Sequence, residues 1–200
     1  MAERLTREFY RRDPVRVARA LLGQRLVRIL GGKRIAGVIV ETEAYLGIPD
    51  EAAHTFGGRR TARNESMWAD GGHAYVYFTY GLHHCVNVVA GQTGQPVAAL
   101  VRALEPVEGL AVMRSHRPKA KRDTDLCSGP AKLTAALGID RDLDGVDMVC
   151  SRTLFIESLR RRALPDSHIV ASPRIGIDYA KQWKDRPLRF HIRNNPHVSR

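Results

Sequence analysis

Apolar and polar positions change period several times along the chain, and the changes mark the elements. Val15, Ala18, Leu21 and Leu22 recur at helical spacing. Asp13-Pro14 stands just ahead of them, an N-cap residue followed by the residue favoured at the first helical position, and Gly23 ends the run. From Leu26 the pattern becomes that of a strand. Leu26–Leu30, the turn Gly31-Gly32 and a longer partner from Arg34 to Tyr45 predict a hairpin. Between Gly47 and Asn64 neither period holds, and a long ordered loop is expected; such loops in compact domains are usually functional. Gly71-Gly72 opens a second hairpin, Ala74–Thr79 and His84–Val89, with Tyr80-Gly81 at its tip. Pro96–Ala103 reads as a short buried strand. Pro106 reads as the start of a helix whose faces are set by Val107, Leu110, Ala111 and Arg114, and Arg114–Asp123 as a basic loop. Ser128-Gly129-Pro130 begins a helix that runs through Leu137 and closes at Gly138. Short strands are expected at Thr153–Glu157, Arg174–Ile177 and Leu188–Ile192. Strands and helices mix without regular alternation, which predicts an α+β fold with antiparallel pairing. A chain of 200 residues suits a single domain, 1–200.

Charge changes this picture more than composition does. Lys and Arg number 32 against 21 Asp and Glu, a net charge of +11, and such a balance favours a polyanionic partner, nucleic acid first. The three cysteines, Cys85, Cys127 and Cys150, show no CxxC spacing, so neither a disulfide frame nor a zinc ribbon is expected and a reducing, intracellular setting fits. The N-terminus is charged and lacks the apolar core of a secretory signal, and no run approaches the roughly 18 apolar residues of a membrane span.

Candidate chemistry gathers between Val38 and Asn87, which holds four of the six tyrosines and so the best material for a flat ligand site. Glu41, Glu43 and Tyr45 share parity on a strand and should face one way, the carboxylates roughly 6–7 Å apart. Val38, Val40 and Thr42 are expected to fill the opposite face. Surface acids paired with arginines would give the same pattern, but an aromatic residue directly beyond them makes a general base for water plausible chemistry. Tyr45, Tyr77 and His54 come from separate segments and are placed to wall a slot for a flat ring; on residue type alone, tyrosines on strands pack and single histidines are structural. Tyr80 stands at a hairpin tip, where it either folds back or wedges between base steps. His83 and His84 alternate faces and do not readily share a metal, no other cluster has ligand spacing, and Gly57-Gly58 lacks the context of a phosphate loop.

VETEAYLG (Val40–Gly47), DEAAH (Asp50–His54), GGRRTARN (Gly57–Asn64), AYVYFTYG with CVN (Ala74–Gly81, Cys85–Asn87), RALEP (Arg102–Pro106), CSGPAKL (Cys127–Leu133) and PLRFHIR (Pro187–Arg193) together resemble the alkyladenine, or 3-methyladenine, DNA glycosylase family, in order and over nearly the whole chain. The resemblance implies an enzyme that flips alkylated or deaminated purines (3-methyladenine, hypoxanthine, ethenoadenine) out of double-stranded DNA and hydrolyses the N-glycosidic bond. It implies one mixed domain around a curved antiparallel sheet with a protruding hairpin, similar to the C-terminal barrel of methionyl-tRNA formyltransferase. By the same resemblance Glu43 is the catalytic base, and Arg102 lies near the water and phosphate. Tyr45, His54 and Tyr77 stack on the base, and the His54 N–H donates to the purine six-position. Asn87 screens out the guanine amino group, Tyr80 intercalates and Lys132 meets the DNA backbone. No cofactor or metal, no strand-cleaving lyase step, a monomer, and a cytoplasmic, nucleoid setting are further implications.

The chain departs from the family where GLHHC follows Tyr80, with two histidines in place of the aromatics of vertebrate members, which bears on the wedge and the range of lesions; the short Arg114–Asp123 loop and the near-absence of an N-terminal extension fit a compact bacterial-type member. Two other readings stay open on residues alone: a non-catalytic nucleic-acid-binding module on the same fold, and a carbohydrate hydrolase using Glu41 and Glu43 as a pair.

Overall fold

The computed structural model describes residues 3–79 and 81–199. Two short helices, α1 (Arg7–Tyr10) and α2 (Pro14–Leu21), precede the hairpin of β1 (Arg25–Leu30) and β2 (Lys33–Tyr45). After a long loop come β3 (Ala74–Thr79), β4 (His83–Ala90) and β5 (Val97–Glu108), then helices α3 (Leu110–His116), α4 (Asp123–Leu126) and α5 (Pro130–Leu137). Three short strands close the chain: β6 (Leu154–Glu157), β7 (Ile169–Ser172) and β8 (Arg189–Ile192). All the pairings are antiparallel. The strand order is β3-β4-β5-β2-β1-β6, with β8 joining β2 to β7. The sheet stays open, and the fold is α+β as the mixed pattern predicts. Among the described residues, no helix is long and apolar enough to cross a membrane.

Local chemistry accounts for most of these elements. The Asp13 side chain accepts the N–H groups of Val15 and Arg16, so α2 starts capped, with Pro14 in its first turn. The helix buries Val17, Ala18 and Leu21 in the same core as Ile35, Ile39, Val101 and Leu104. Gly31 and Gly32 have φ of 54° and 74°, the left-handed conformation a two-residue turn requires between β1 and β2. Helix α5 opens at Pro130 and closes at Gly138, as the sequence predicts; Gly138 (φ 63°) approaches Leu30, and a Cβ there would stand 2.9 Å from its side chain.

Two expected elements fall differently. Pro106 does not start a helix: β5 runs through it to Glu108, and α3 begins only at Leu110, after Gly109 in the left-handed region. Pro106 is tolerated because it pairs with Gly37 beside a register shift, where the ladder is already interrupted. Arg174–Ile177 is not a strand; the strand is Ile169–Ser172, and the later segment meets the end of β2 through Arg174 on the Ala44 carbonyl and the Ile175 N–H on Glu43. The basic segment is also more ordered than a loop, since α3 continues to His116 and α4 begins at Asp123.

The pairing of β2 with β5 carries the irregularity that matters for function. It passes from Ile39↔Leu104 to Glu41↔Ala103, skipping Val40, and then to Thr42↔Val101, skipping Arg102. One extra residue on each strand reverses which parity faces the core. Ile35 and Ile39 belong to the core before the irregularity and Ala44 after it. The face opposite the acids is therefore not a Val38–Val40–Thr42 stripe, and Val38 is only half-buried. Such bulges re-aim side chains. Without this one, Glu41 and Glu43 would share the face of Ile39.

Candidate active site

Glu41, Glu43 and Tyr45 leave β2 together beyond the irregularity and meet Arg102 from β5. Arg102 donates from Nε to Glu41 at 2.9 Å, and its Nη1 lies 3.2 Å from Glu43. Both carboxylates are fully buried, but their other partners differ. Glu41 also accepts from Arg189 Nε at 2.6 Å, from the Ser199 N–H at 2.7 Å and from the Ser199 hydroxyl at 2.8 Å. Burial raises its pKa, but Arg102, Arg189 and the Ser199 N–H outweigh that and hold it below the ordinary carboxylate value. Glu43 accepts from the Ile175 N–H at 2.8 Å and the Tyr45 hydroxyl at 2.9 Å. Here burial dominates. It pushes the Glu43 pKa up against the pull of Arg102, the Ile175 N–H and Tyr45, and Glu41 adds to the rise.

Above Glu43 lies a cavity of about 390 Å³, lined by Tyr45, His54, Tyr77, Asn87, Arg102 and Ile175 among others. His54 and Tyr77 stand edge to face, ring centroids 4.6 Å apart, and Tyr75 lies 5.3 Å from Tyr77. The three stacking candidates, Tyr45, His54 and Tyr77, thus share one cavity with Asn87 and Arg102. Asn87 donates from Nδ2 to the Tyr75 carbonyl across the β3–β4 pair at 3.1 Å, which fixes its side chain at the wall. Glu43 meets this space through the three groups that cover it: Tyr45, Arg102 and Ile175.

His54 is set by a partner the sequence reading passed over. Its Nδ1 lies 2.6 Å from the Tyr75 hydroxyl. Burial holds the Tyr75 phenol protonated, and burial with Arg63 and Arg59 pushes His54 down to about 4. At neutral pH Tyr75 therefore donates and a neutral imidazole accepts, which leaves the His54 proton on Nε2. Asn64 holds the loop beneath by donating to the carbonyls of His54 and Arg59, each at 3.0 Å.

Lys132 is exposed on α5, its Nζ 3.5 Å from the Ser128 hydroxyl, two residues from Pro130 at the cavity wall. Tyr80 lies outside the described residues; its neighbours Phe78 and Leu82 are exposed, Leu82 to 76%. Six contributors escaped the sequence reading: Tyr75, Asp50, Arg174, Ile175, Arg189 and Ser199. Tyr75 shares the parity of Tyr77, and Asp50 opens the DEAAH motif, so each carried a signal. Ile175 acts through its backbone N–H, which no side-chain pattern announces.

Residues 8–196 match the sequence profile of the family described as methylpurine-DNA glycosylase. The chain is 47% identical over 196 residues to a protein of Methanocella arvoryzae, covering 98% of this chain and 96% of that one. It is 43% identical over 198 residues to a protein of Natranaerobius thermophilus, covering 98% of each, and 45% identical over 203 residues to one of Clostridium acetobutylicum, covering 98% and 97%. All three relatives are named for 3-methyladenine DNA glycosylase activity.

Proposed function

Because this chain belongs to the methylpurine-DNA glycosylase family, whose members are base-excision-repair enzymes acting on DNA, we propose that it hydrolyses the N-glycosidic bond of alkylated or deaminated purines with Glu43 as the base. The observation that carries this reading is the Glu43 carboxylate itself. It is buried at the foot of an aromatic cavity, oriented by Arg102, the Ile175 N–H and Tyr45, and its pKa is raised towards the working pH.

A purine in a duplex lies beyond the reach of this carboxylate, so the nucleotide leaves the stack, at a cost of a few kcal/mol that is least for a damaged or mispaired base. The cationic surface holds phosphates without reading sequence, and Lys132 is our candidate among them. Tyr80, by its position in the sequence between β3 and β4, is our candidate to take the space the base vacates. In the cavity Tyr45, His54 and Tyr77 stack on the base, and a cationic alkylated purine gains further from aromatic faces. Asn87, pinned by Tyr75, limits entry at the purine two-position. When the C1′–N9 bond breaks, a cationic alkylated purine leaves as a neutral base, whereas hypoxanthine leaves as an anion that takes a proton from solvent. Glu43 then takes a proton from a water that attacks C1′, while Arg102 keeps the carboxylate aimed.

Glu41 is no second acid. Its oxygens are committed to Arg102, Arg189 and Ser199, which argues against a carbohydrate hydrolase working with a carboxylate pair. No lysine lines the cavity among the described residues, so we expect hydrolysis without a Schiff base. The test is single-turnover incubation of Glu43→Gln with a duplex carrying one hypoxanthine. The expected outcome is retained binding, no abasic sites and, for the unmodified protein, abasic product without strand cleavage. Base release by Glu43→Gln at the unmodified rate would sink the assignment.

A further inference from the structure

Beside Glu43 lies a buried ion pair that the mechanism does not use. Asp50 and Arg174 are wholly inaccessible, both side chains 0% exposed. They meet fork to fork, Nη1 2.6 Å from Oδ2 and Nη2 2.8 Å from Oδ1. Burying two such charges strips their hydration, and apolar residues of similar size would often be as stable. A pair kept in so dry a place is weak evidence for stability, and its contacts point elsewhere.

Arg174 reaches the site by three routes. Its Nη1 also donates to the Ala44 carbonyl at 2.9 Å, between Glu43 and Tyr45 on β2. Its guanidinium lies over the Tyr45 ring, 4.6 Å from the centroid, and Tyr45 is the residue whose hydroxyl holds Glu43. The residue directly after it, Ile175, supplies the N–H bonded to Glu43. Asp50 in turn accepts the N–H groups of Leu46 and Ala52, each at 3.0 Å. It therefore fixes the start of the loop that carries Ala52, Ala53 and His54 into the cavity wall.

We propose that Asp50 and Arg174 are a positioning pair for base release, locking the Ile175 N–H and the Tyr45 ring onto Glu43 and setting the carboxylate against the wall that carries His54. The proposal rests on Glu43 being the base. Neither residue touches the reacting atoms; both act through Tyr45, Ile175 and the loop. The groups facing Glu43 are Arg102 from β5, Glu41 and Tyr45 from β2, and Ile175 and Arg174 from the crossing segment, with Tyr77 of β3 and Cys85 of β4 in its electrostatic surroundings. Among them the Ile175 N–H and the Tyr45 hydroxyl lower the Glu43 pKa. Loosening the pair weakens both, so the pH below which Glu43 is protonated and inactive moves up.

The experiment is single-turnover release of hypoxanthine from duplex DNA across pH, alongside binding of the same duplex, for Asp50→Asn and Arg174→Lys. At neutral pH the rate should fall about tenfold or more, as small displacements of reacting groups do. Binding should change less, and the acid limb should rise by about one pH unit, so that the deficit narrows in alkali. A deficit equal at every pH with an unmoved acid limb would reduce the pair to a structural role and overturn the proposal, as would unmodified rates in folded variants. If the single variants do not fold because a lone charge is left buried, the neutral double variant Asp50→Asn/Arg174→Gln keeps hydrogen bonding without it. That variant should fold and show the same raised limb; an unmoved limb, or failure to fold there too, also overturns it. Glu43→Gln run in parallel separates the two ideas. An active Glu43→Gln removes the base assignment, whereas an inactive Glu43→Gln beside normal pair variants removes only the positioning role.

Discussion

Glu41 and Glu43 stand two residues apart on one strand, share one arginine and are equally buried, yet their surroundings push them in opposite directions. Around Glu41, two guanidinium groups, a backbone N–H and a hydroxyl converge, and the pKa falls below its ordinary 4.5. Around Glu43 one arginine, one N–H and one phenol converge, and the pKa rises above 4.5. Burial opposes the charge on both; it is outweighed by the more numerous partners of Glu41 and prevails over the fewer partners of Glu43. In our reading the more saturated site is the less reactive one. Glu41 neutralises and aims Arg102, while Glu43 is left with the higher proton affinity a base needs.

Replacing each carboxylate in turn tests this contrast most severely. Glu43→Gln should abolish hypoxanthine release, a loss of about a hundredfold or more for a positioned base, while leaving stability equal or higher. Glu41→Gln should do the reverse in rank. It leaves Arg189 without its carboxylate and Arg102 with Glu43 alone, a loss of about 3–5 kcal/mol in denaturant unfolding. Stability against pH should then separate the two. A folded pKa below the unfolded value gives Glu41 a contribution that is present above about pH 4.5 and fades as pH falls through the lowered value. The raised pKa of Glu43 gives a contribution present below about pH 4.5 and lost as pH rises through the raised value. Glu41→Gln should flatten the acid side of the unfolding profile, and Glu43→Gln the side above it. Profiles altered in the same direction would contradict the contrast.

A finer cut removes one bond. Tyr45→Phe deletes the hydroxyl on Glu43 but keeps the ring under Arg174 and its place in the cavity. Hydrogen bonds to charged groups are worth about 1.5–3 kcal/mol, so base release at neutral pH should drop about ten- to a hundredfold. The acid limb should move up, because that bond lowers the Glu43 pKa. A slower enzyme with an unmoved limb would confine Tyr45 to stacking.

How much of this was legible in the sequence depends on the kind of interaction. Side chains at strand parity, Glu41, Glu43 and Tyr45, declare themselves, and so do caps such as Asp13-Pro14. The irregularity at Val40 and Arg102 does not. Nothing in VIVETEAY says that parity reverses after Ile39, because a bulge is a property of the pairing and not of one strand. Pro106 misled for a related reason: its strand is interrupted where it pairs with Gly37, which takes away the usual objection to proline. The partners of Glu43 and His54 are harder still. Ile175 contributes only an N–H, and Asp50 and Arg174 lie more than a hundred residues apart, so only the fold joins them.

The smallest effect on hypoxanthine release should come from Asn87, and it tests whether the cavity wall discriminates rather than reacts. Asn87 is almost wholly buried and is tied to the Tyr75 carbonyl on the neighbouring strand. Asn87→Ser shortens the side chain and breaks that tie. Hypoxanthine has no amino group at the two-position, so its release should change by less than about threefold, the scale of a minor pocket contact. A guanine, whether mispaired or alkylated, presents an amino group that now meets a shorter wall, and its release should rise by about tenfold. Parallel single-turnover assays on the two substrates measure the ratio directly. A ratio unchanged by Asn87→Ser would move the discrimination away from the wall and back to the one place where every substrate meets the same test, the leaving ability of the base in front of Glu43.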